Sequence, residues 1–264
     1  MIKRATTFST LGSQVNQAVE RASDVIINGL STNGFVAIPN FFSPPSQDET
    51  STKSTSCNLC FEMRAESVSM FKKDRFRISQ STRWNESTER VEMYDKKNVY
   101  SMSLHDEDEQ SAPMLYNYGD FMYKAITPLI NKHFGKGTLK KEEKCMEELR
   151  ANNYFNKLAV CTGKGSGYEK HLDNTNAGQN KDDRRKLTVI LYLNPEWDVH
   201  CGGQFRVLNA QHATSTASPM IDPMAGTLLM FWSKQVLHSV LPSFLPNDNE
   251  NLYRFAHTLW LKSG

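Results

Sequence analysis

A histidine and an aspartate stand two residues apart in "GYEKHLDNTN", Gly167 to Asn176, just after a glycine-rich stretch. In a strand, residues i and i+2 share a face, so His171 and Asp173 would aim an imidazole and a carboxylate at one point. Such a pair suits a metal, although one H-x-D also arises by chance. The pattern of two histidines and one carboxylate with open coordination positions belongs to non-heme iron oxygenases, and it needs one more histidine. His105 and His133 sit in polar or helical contexts, and His200 and His212 sit in loops. His238 opens "HSVLP" after the apolar run "GTLLMFWSKQV", where the chain can return beside the first strand. Taken alone, His238 reads equally as a satisfied core or turn histidine.

The last apolar run, "RFAHTLWLK", alternates. Arg254, Ala256, Thr258 and Trp260 fall on one face; Phe255, His257, Leu259 and Leu261 fall on the other. A guanidinium on a core face is costly unless it meets an anion. Its planar two-donor fork matches a carboxylate. An internal ion pair, or an edge facing water, would also explain Arg254.

These residues must be held by a scaffold. "STLGSQVNQAVERASDVIINGLSTNG" carries Leu11, Val15, Ala18, Ala22, Val25 and Leu30 at helical spacing, with Ser9 or Thr10 to cap it and Gly34 after its end. "FVAIPNFF" reads as a strand running into a turn. Ser43 to Ser56 reads as a surface loop, and "LHDEDEQSAP" as an acidic one. "LYNYGDFMYKAITPLINKHF" is a second helix with Phe121, Ala125, Leu129 and Ile130 on one side, and Pro128 should kink it or mark a start. "GKGTLKKEEKCMEELR" is charged and faces solvent. From Asn153 onward come "NKLAVCT", "TVILYLN", "GGQFRVLN", "GTLLMFWS" and "RFAHTLWLK", short β-rich runs between turn residues. They predict a sandwich or barrel. The fold class is therefore α+β, with N-terminal helices bracing a sheet. Residues 1–152 would support a core at 153–264, the two together forming one structural domain.

The bulk numbers narrow the function. The 264 residues allow one large domain, and 39% apolar with 23% charged residues is a globular composition. A formal net charge of +2 gives no field that calls for nucleic acid or a membrane as partner. No apolar run approaches the roughly 20 residues that span a bilayer. "MIKRATTFST" lacks the apolar core of a secretory signal, while its basic, hydroxyl-rich character leaves organelle targeting open. Five scattered cysteines do not form a disulfide framework, so a reducing compartment, cytoplasmic or nuclear, is expected. "CNLC" (Cys57 to Cys60) has zinc or redox spacing without a second pair, and "GKGSG" does not satisfy the phosphate-loop pattern.

The run "GSGYEKHLDN … TVILYLNPEW … GGQFRV … GTLLMFWS … HSVLP … RFAHTLWL" resembles the Fe(II)- and 2-oxoglutarate-dependent prolyl 4-hydroxylases, and within them the hypoxia-inducible-factor branch. The resemblance is strong over about Lys157 to Lys262 and only general between Phe42 and Asn153. It implies a double-stranded β-helix (jelly roll) core. It implies that His171, Asp173 and His238 bind Fe(II), and that Arg254 holds the distal carboxylate of 2-oxoglutarate with help from the Tyr192 hydroxyl. Thr258 and Trp260 would line that pocket. Arg185 and Trp84 would meet the substrate, and "TRWNESTERVEMYDKKNVY" would stand where the family has a mobile loop over its peptide.

The same resemblance implies C4 hydroxylation of a prolyl residue in a protein, with O2 as cosubstrate, ascorbate as reductant and a role in oxygen sensing. Succinate and CO2 would be the other products. Ile190, Leu228, Met230 and Trp260 are expected to wall the reaction from water. A monomer is expected. Cys161 departs from the family, standing where the animal oxygen-sensing enzymes carry a tyrosine that closes the pocket. Two other readings stay open: an oxygenase acting on a different protein residue or a small molecule, and a jelly-roll binding module without turnover.

Overall fold

The computed structural model describes residues 2–43, 58–135, 148–174, 183–209, 218–245 and 249–264. The loop expected over Ser43–Ser56 lies outside these residues beyond Ser43. So do Cys57, His212 and most of the charged segment with Cys145.

Three helices come from the first half: α1 (Ile2–Thr32), α2 (Asn58–Lys72) and α3 (Pro113–Phe134). In α1, Leu11, Val15, Ala18, Ala22 and Leu30 are buried as the spacing predicts. Val25 is 54% exposed, and Ile26 takes the inward position instead. The stripe drifts because 3.6 residues per turn do not keep a fixed seven-residue register. Gly34 ends the helix at φ 77°, a left-handed conformation that glycine adopts without a Cβ clash.

Helix α3 runs on past the exposed Pro128. Its deepest stripe is Leu115, Tyr118, Met122, Ile126 and Ile130, while Phe121, Ala125 and Leu129 flank it, half-buried. Sequence reading passed over α2, whose inner side carries Leu59, Met63 and Met70 but also Arg64 and Ser67. Those polar positions broke the apolar period.

The strands form two antiparallel sheets. The larger has β1 (Phe35–Ile38), β9 (Leu228–Trp232), β6 (Arg185–Tyr192), β11 (Arg254–Ser263), β4 (Leu149–Cys161), β3 (Arg90–Ser103) and β2 (Arg77–Asn85), in that order. The smaller is β5 (Lys164–His171), β10 (His238–Phe244), β7 (Phe205–Val207) and β8 (Met220–Ile221). Together they make the jelly-roll core. Hydrogen bonding crosses residue 152, since β1, β2 and β3 join the sheet built by the later strands. The segment 77–103 is a β2–β3 hairpin extending that sheet.

The larger sheet buries apolar residues on both faces. Leu158, Val189, Leu191, Leu228, Met230, Phe255 and Leu259 pack with the helices. Tyr192, Phe205, Leu229, Phe231 and Ala256 pack between the sheets. Leu228 and Met230 are therefore not cleft walls. The run "LLMFW" is apolar at every position, so alternation could not set its phase. Pairing does so, placing Met230 opposite Val189.

Candidate active site

His171 closes β5 and His238 opens β10, and the two are direct cross-strand partners. Their ring centroids lie 4.3 Å apart. Asp173 is not on the strand. It sits in the bend after β5, so convergence comes from pairing across the sheet rather than from one strand face. Asn174 fixes this bend: its N–H donates to Ser233 O at 3.0 Å, and its amide donates to the carbonyls of Asp183 and Arg185 at 2.8 and 2.6 Å.

The hydrogen bonds sort the ligand atoms. His171 Nδ1 lies 2.7 Å from Glu169 O, and His238 Nδ1 lies 2.9 Å from Val236 O. A carbonyl can only accept, so each Nδ1 carries the proton and each Nε2 keeps its lone pair. Both Nε2 atoms face Asp173 Oδ1, at 3.5 and 3.8 Å. The other carboxylate oxygen, Oδ2, accepts from Thr188 Oγ1 at 2.6 Å and from Trp260 Nε1 at 3.0 Å. Thr188 in turn meets Ser233 Oγ at 2.9 Å. Fixing ligands by outer hydrogen bonds in this way is the usual mark of a metal centre.

The ligand atoms of His171, Asp173 and His238 all lie within 4.8 Å of one another. Burial disfavours the Asp173 carboxylate, but its interactions with His171 and His238, and the Thr188 hydrogen bond, outweigh that and hold the carboxyl well below its usual range. Burial pushes His238 down to about 4, against the pull of Asp173. One ionised carboxylate and two imidazole lone pairs fit a divalent iron and leave positions open for other ligands.

Arg254 enters the same cleft from β11 and is buried. Its Nε donates to Gly203 O at 2.8 Å, and its guanidinium lies 5.0 Å from the centre of the Tyr192 ring. A Cβ at Gly203 would stand 2.8 Å from Arg254 Cδ, which explains the second glycine of "GGQF". The buried Tyr192 hydroxyl has no hydrogen-bond partner among the described residues. Burial, partly offset by the Arg254 charge, moves this phenol up to about 12, so it stays protonated. No carboxylate pairs with Arg254 among the described residues. A buried cation beside an unused hydroxyl fits the carboxylate of a dicarboxylic acid.

The cleft encloses about 370 Å³. Thr258, Trp260, Ile190 and Tyr192 line it, together with Lys96 and Lys157. Arg185 lies at its wall, paired with Asp183 at 2.5 Å and stacked 5.3 Å from the Trp260 ring centre. Cys161 is buried on β4 directly opposite Arg254. Trp84 lies on β2 opposite Val91; its side chain is outside the described residues. Sequence reading missed Thr188 and Ser233, whose hydroxyls interrupt apolar runs at "LTVIL" and "MFWS". It also missed Lys96 and Lys157, cations on strand positions that turn toward the cleft. Burial, and then the mutual repulsion of the two lysines, brings Lys96 down to about 8.

Residues 155–262 match the model of the 2OG-Fe(II) oxygenase superfamily. The matched stretch is less than half of the chain and takes in His171, Asp173, His238 and Arg254. Over part of its length the chain is also similar to prolyl hydroxylases. It is 37% identical over 106 residues to the hypoxia-inducible factor prolyl hydroxylase of Caenorhabditis elegans, covering 39% of this chain and 12% of that protein. It is 29% identical over 145 residues to prolyl hydroxylase EGLN3 of Mus musculus, covering 53% of this chain and 50% of that one. The matches thus span half or less of these relatives.

A prolyl hydroxylase from Trichoplax adhaerens, solved with a hypoxia inducible factor oxygen degradation domain peptide fragment, has a TM-score of 0.63 and 24% identity, covering 94% of this chain and 91% of that chain. A Pseudomonas putida prolyl-4-hydroxylase gives 0.60 and 20%, covering 92% and 100%. At these identities the two structures speak for the fold. No helix among the described residues is long and apolar enough to cross a membrane.

Proposed function

We propose that this protein is a 2OG-Fe(II) oxygenase that hydroxylates a prolyl residue, at C4, in a protein substrate. The observation that carries the reading is one cleft holding both a His–Asp–His set and a buried Arg–Tyr pair, in a chain related to prolyl hydroxylases. His171, Asp173 and His238 would hold Fe(II), and Arg254 with Tyr192 would hold 2-oxoglutarate. When bound, iron and 2-oxoglutarate supply the oxidising chemistry from O2, with ascorbate as the reductant that maintains Fe(II).

The chain's own residues bind, orient and exclude water. Thr188 and Trp260 fix the Asp173 carboxylate so that Oδ1 faces the ligand site. Thr258 lines the pocket on the Arg254 face, and Ile190 and Phe205 supply its apolar wall. Arg185 at the wall, with Trp84 on the β2–β3 hairpin, would meet the peptide. An oxygen-sensing role extends the same reading, supported by the relatives named for hypoxia-inducible factor. Cys161 beside Arg254 is the residue through which cosubstrate affinity would differ from those relatives.

Succinate formation with Fe(II), 2-oxoglutarate, ascorbate and a library of proline-containing peptides tests the reading, with mass spectrometry locating one added oxygen atom. Peptide-dependent turnover with oxygen on proline is the expected result. Oxygen on another residue, or turnover that no peptide stimulates, overturns the prolyl assignment.

A further inference from the structure

A second groove of about 530 Å³ adjoins the cleft, and Lys96, Tyr168 and Val240 line both. Its walls come from β3, β5, β7 and β10. Their charges are one-sided: Lys96, Lys97, Lys170 and Arg206 line it against one acid, Glu169. Arg206 and Ser239 are cross-strand partners on β7 and β10. Arg206 Nε and Ser239 Oγ are both buried, and neither has a hydrogen-bond partner among the described residues. Two adjacent donors withdrawn from water and left unmatched call for an acceptor. A carboxylate supplies two lone-pair oxygens and the opposite charge. Leu208, Leu241 and Pro242 add apolar wall, which suits a polypeptide better than a bare polyanion.

We propose that this groove binds an acidic stretch of the polypeptide substrate. Arg206 and Ser239 take a carboxylate, Lys97 and Lys170 face the neighbouring negative charge, and Lys96 marks the junction where the chain passes into the cleft. The inference rests on the polypeptide-hydroxylase reading above and names the charge that the substrate carries beside its reacting residue. The overall charge of the protein is only +2, so the preference is local to this groove and not a property of the whole surface.

Fluorescence anisotropy under nitrogen, with Fe(II) and 2-oxoglutarate present, tests it. Labelled proline peptides carrying Asp and Glu beside the proline are compared with the same peptides carrying Asn and Gln. The acidic peptides should bind about tenfold more tightly at low salt, with the advantage shrinking as salt is added. Arg206→Gln, and separately Lys97→Gln with Lys170→Gln, should each remove much of that advantage while 2-oxoglutarate binding stays unchanged. Equal affinity for acidic and amide peptides overturns the proposal. So does an acid preference that both variants retain. Mass spectrometry on aerated samples separates the two readings. Arg206-dependent acid preference without oxygen on proline removes the prolyl assignment and leaves the groove standing.

Discussion

On one face of β11, Arg254, Thr258 and Trp260 turn toward the cleft; on the other, His257 turns toward the helices between Phe255 and Leu259. Both faces bury polar groups, but they treat them differently. On the cleft face Trp260 donates to Asp173, and Arg254 lies against Tyr192, where a ligand's carboxylate can complete the set. On the helix face both His257 ring nitrogens lack a partner among the described residues, as does the Tyr118 hydroxyl, whose ring stands edge-on 5.1 Å away. Asn156, on the paired strand β4, leaves its amide unmatched as well. An unmatched donor in an open cleft waits for a ligand. In a closed core it is a cost to stability.

The largest effect belongs to the cleft. Asp173→Ala removes the only carboxylate of the ligand set, so iron binding and 2-oxoglutarate turnover should fall below detection. Circular dichroism should show an unchanged fold, because Asp173 lies in a bend and not in the sheet. Retained iron binding would mean that the metal sits elsewhere. Arg254→Ala comes next. Loss of a buried cation from a charge-matched carboxylate costs about 2–5 kcal/mol, so 2-oxoglutarate affinity measured by calorimetry should drop by at least about thirtyfold. An unchanged affinity would refute Arg254 as the anchor.

Much of the cleft face was legible because its strands alternate. "RFAHTLWLK" put Arg254, Thr258 and Trp260 on one side, and the structure keeps them there. The motifs also pointed to His171, Asp173 and His238, which the structure brings together. What was not legible depended on pairing. Asp173 could not be placed in a bend without knowing that β5 ends at His171. Leu228 and Met230 could not be assigned a face within a run apolar throughout. Helix α2 stayed hidden because Arg64 occupies an inner position; it donates to Leu193 O, Asn194 Oδ1 and Tyr253 O, carbonyl and amide oxygens that only the folded chain presents. The groove along β7 and β10 needed cross-strand neighbours, which no local pattern carries.

A smaller effect sharpens the role of the outer contacts. Thr188→Val keeps the shape but removes the shorter of the two hydrogen bonds to Asp173 Oδ2. Trp260 still holds that oxygen, so iron affinity should weaken by about tenfold, the lower end of what loss of an outer partner costs. A competition titration with a chelator reads this directly. If affinity is unchanged, Trp260 alone fixes the carboxylate.

The smallest effect at neutral pH, and the one that tests the helix face, is at His257. Burial alone pushes this imidazole down to about 3. An unfolded chain would bind a proton near the ordinary histidine value of about 6.5. Between those two values the unfolded state holds a proton that the folded state refuses, so stability must fall as pH drops from about 6.5 toward 3. At pH 5 this one group accounts for about 2 kcal/mol. His257→Phe removes the titrating ring and keeps an aromatic against Tyr118. Urea denaturation of the metal-free protein at pH 7 and pH 5 should therefore show the variant losing about 2 kcal/mol less than the parent between the two. His238, also held low by burial, titrates in both proteins and cancels in the difference. If parent and variant lose equal stability on acidification, a partner for His257 must satisfy the ring in the folded state. The helix face of β11 would then be as fully matched as the cleft face becomes when its ligands bind.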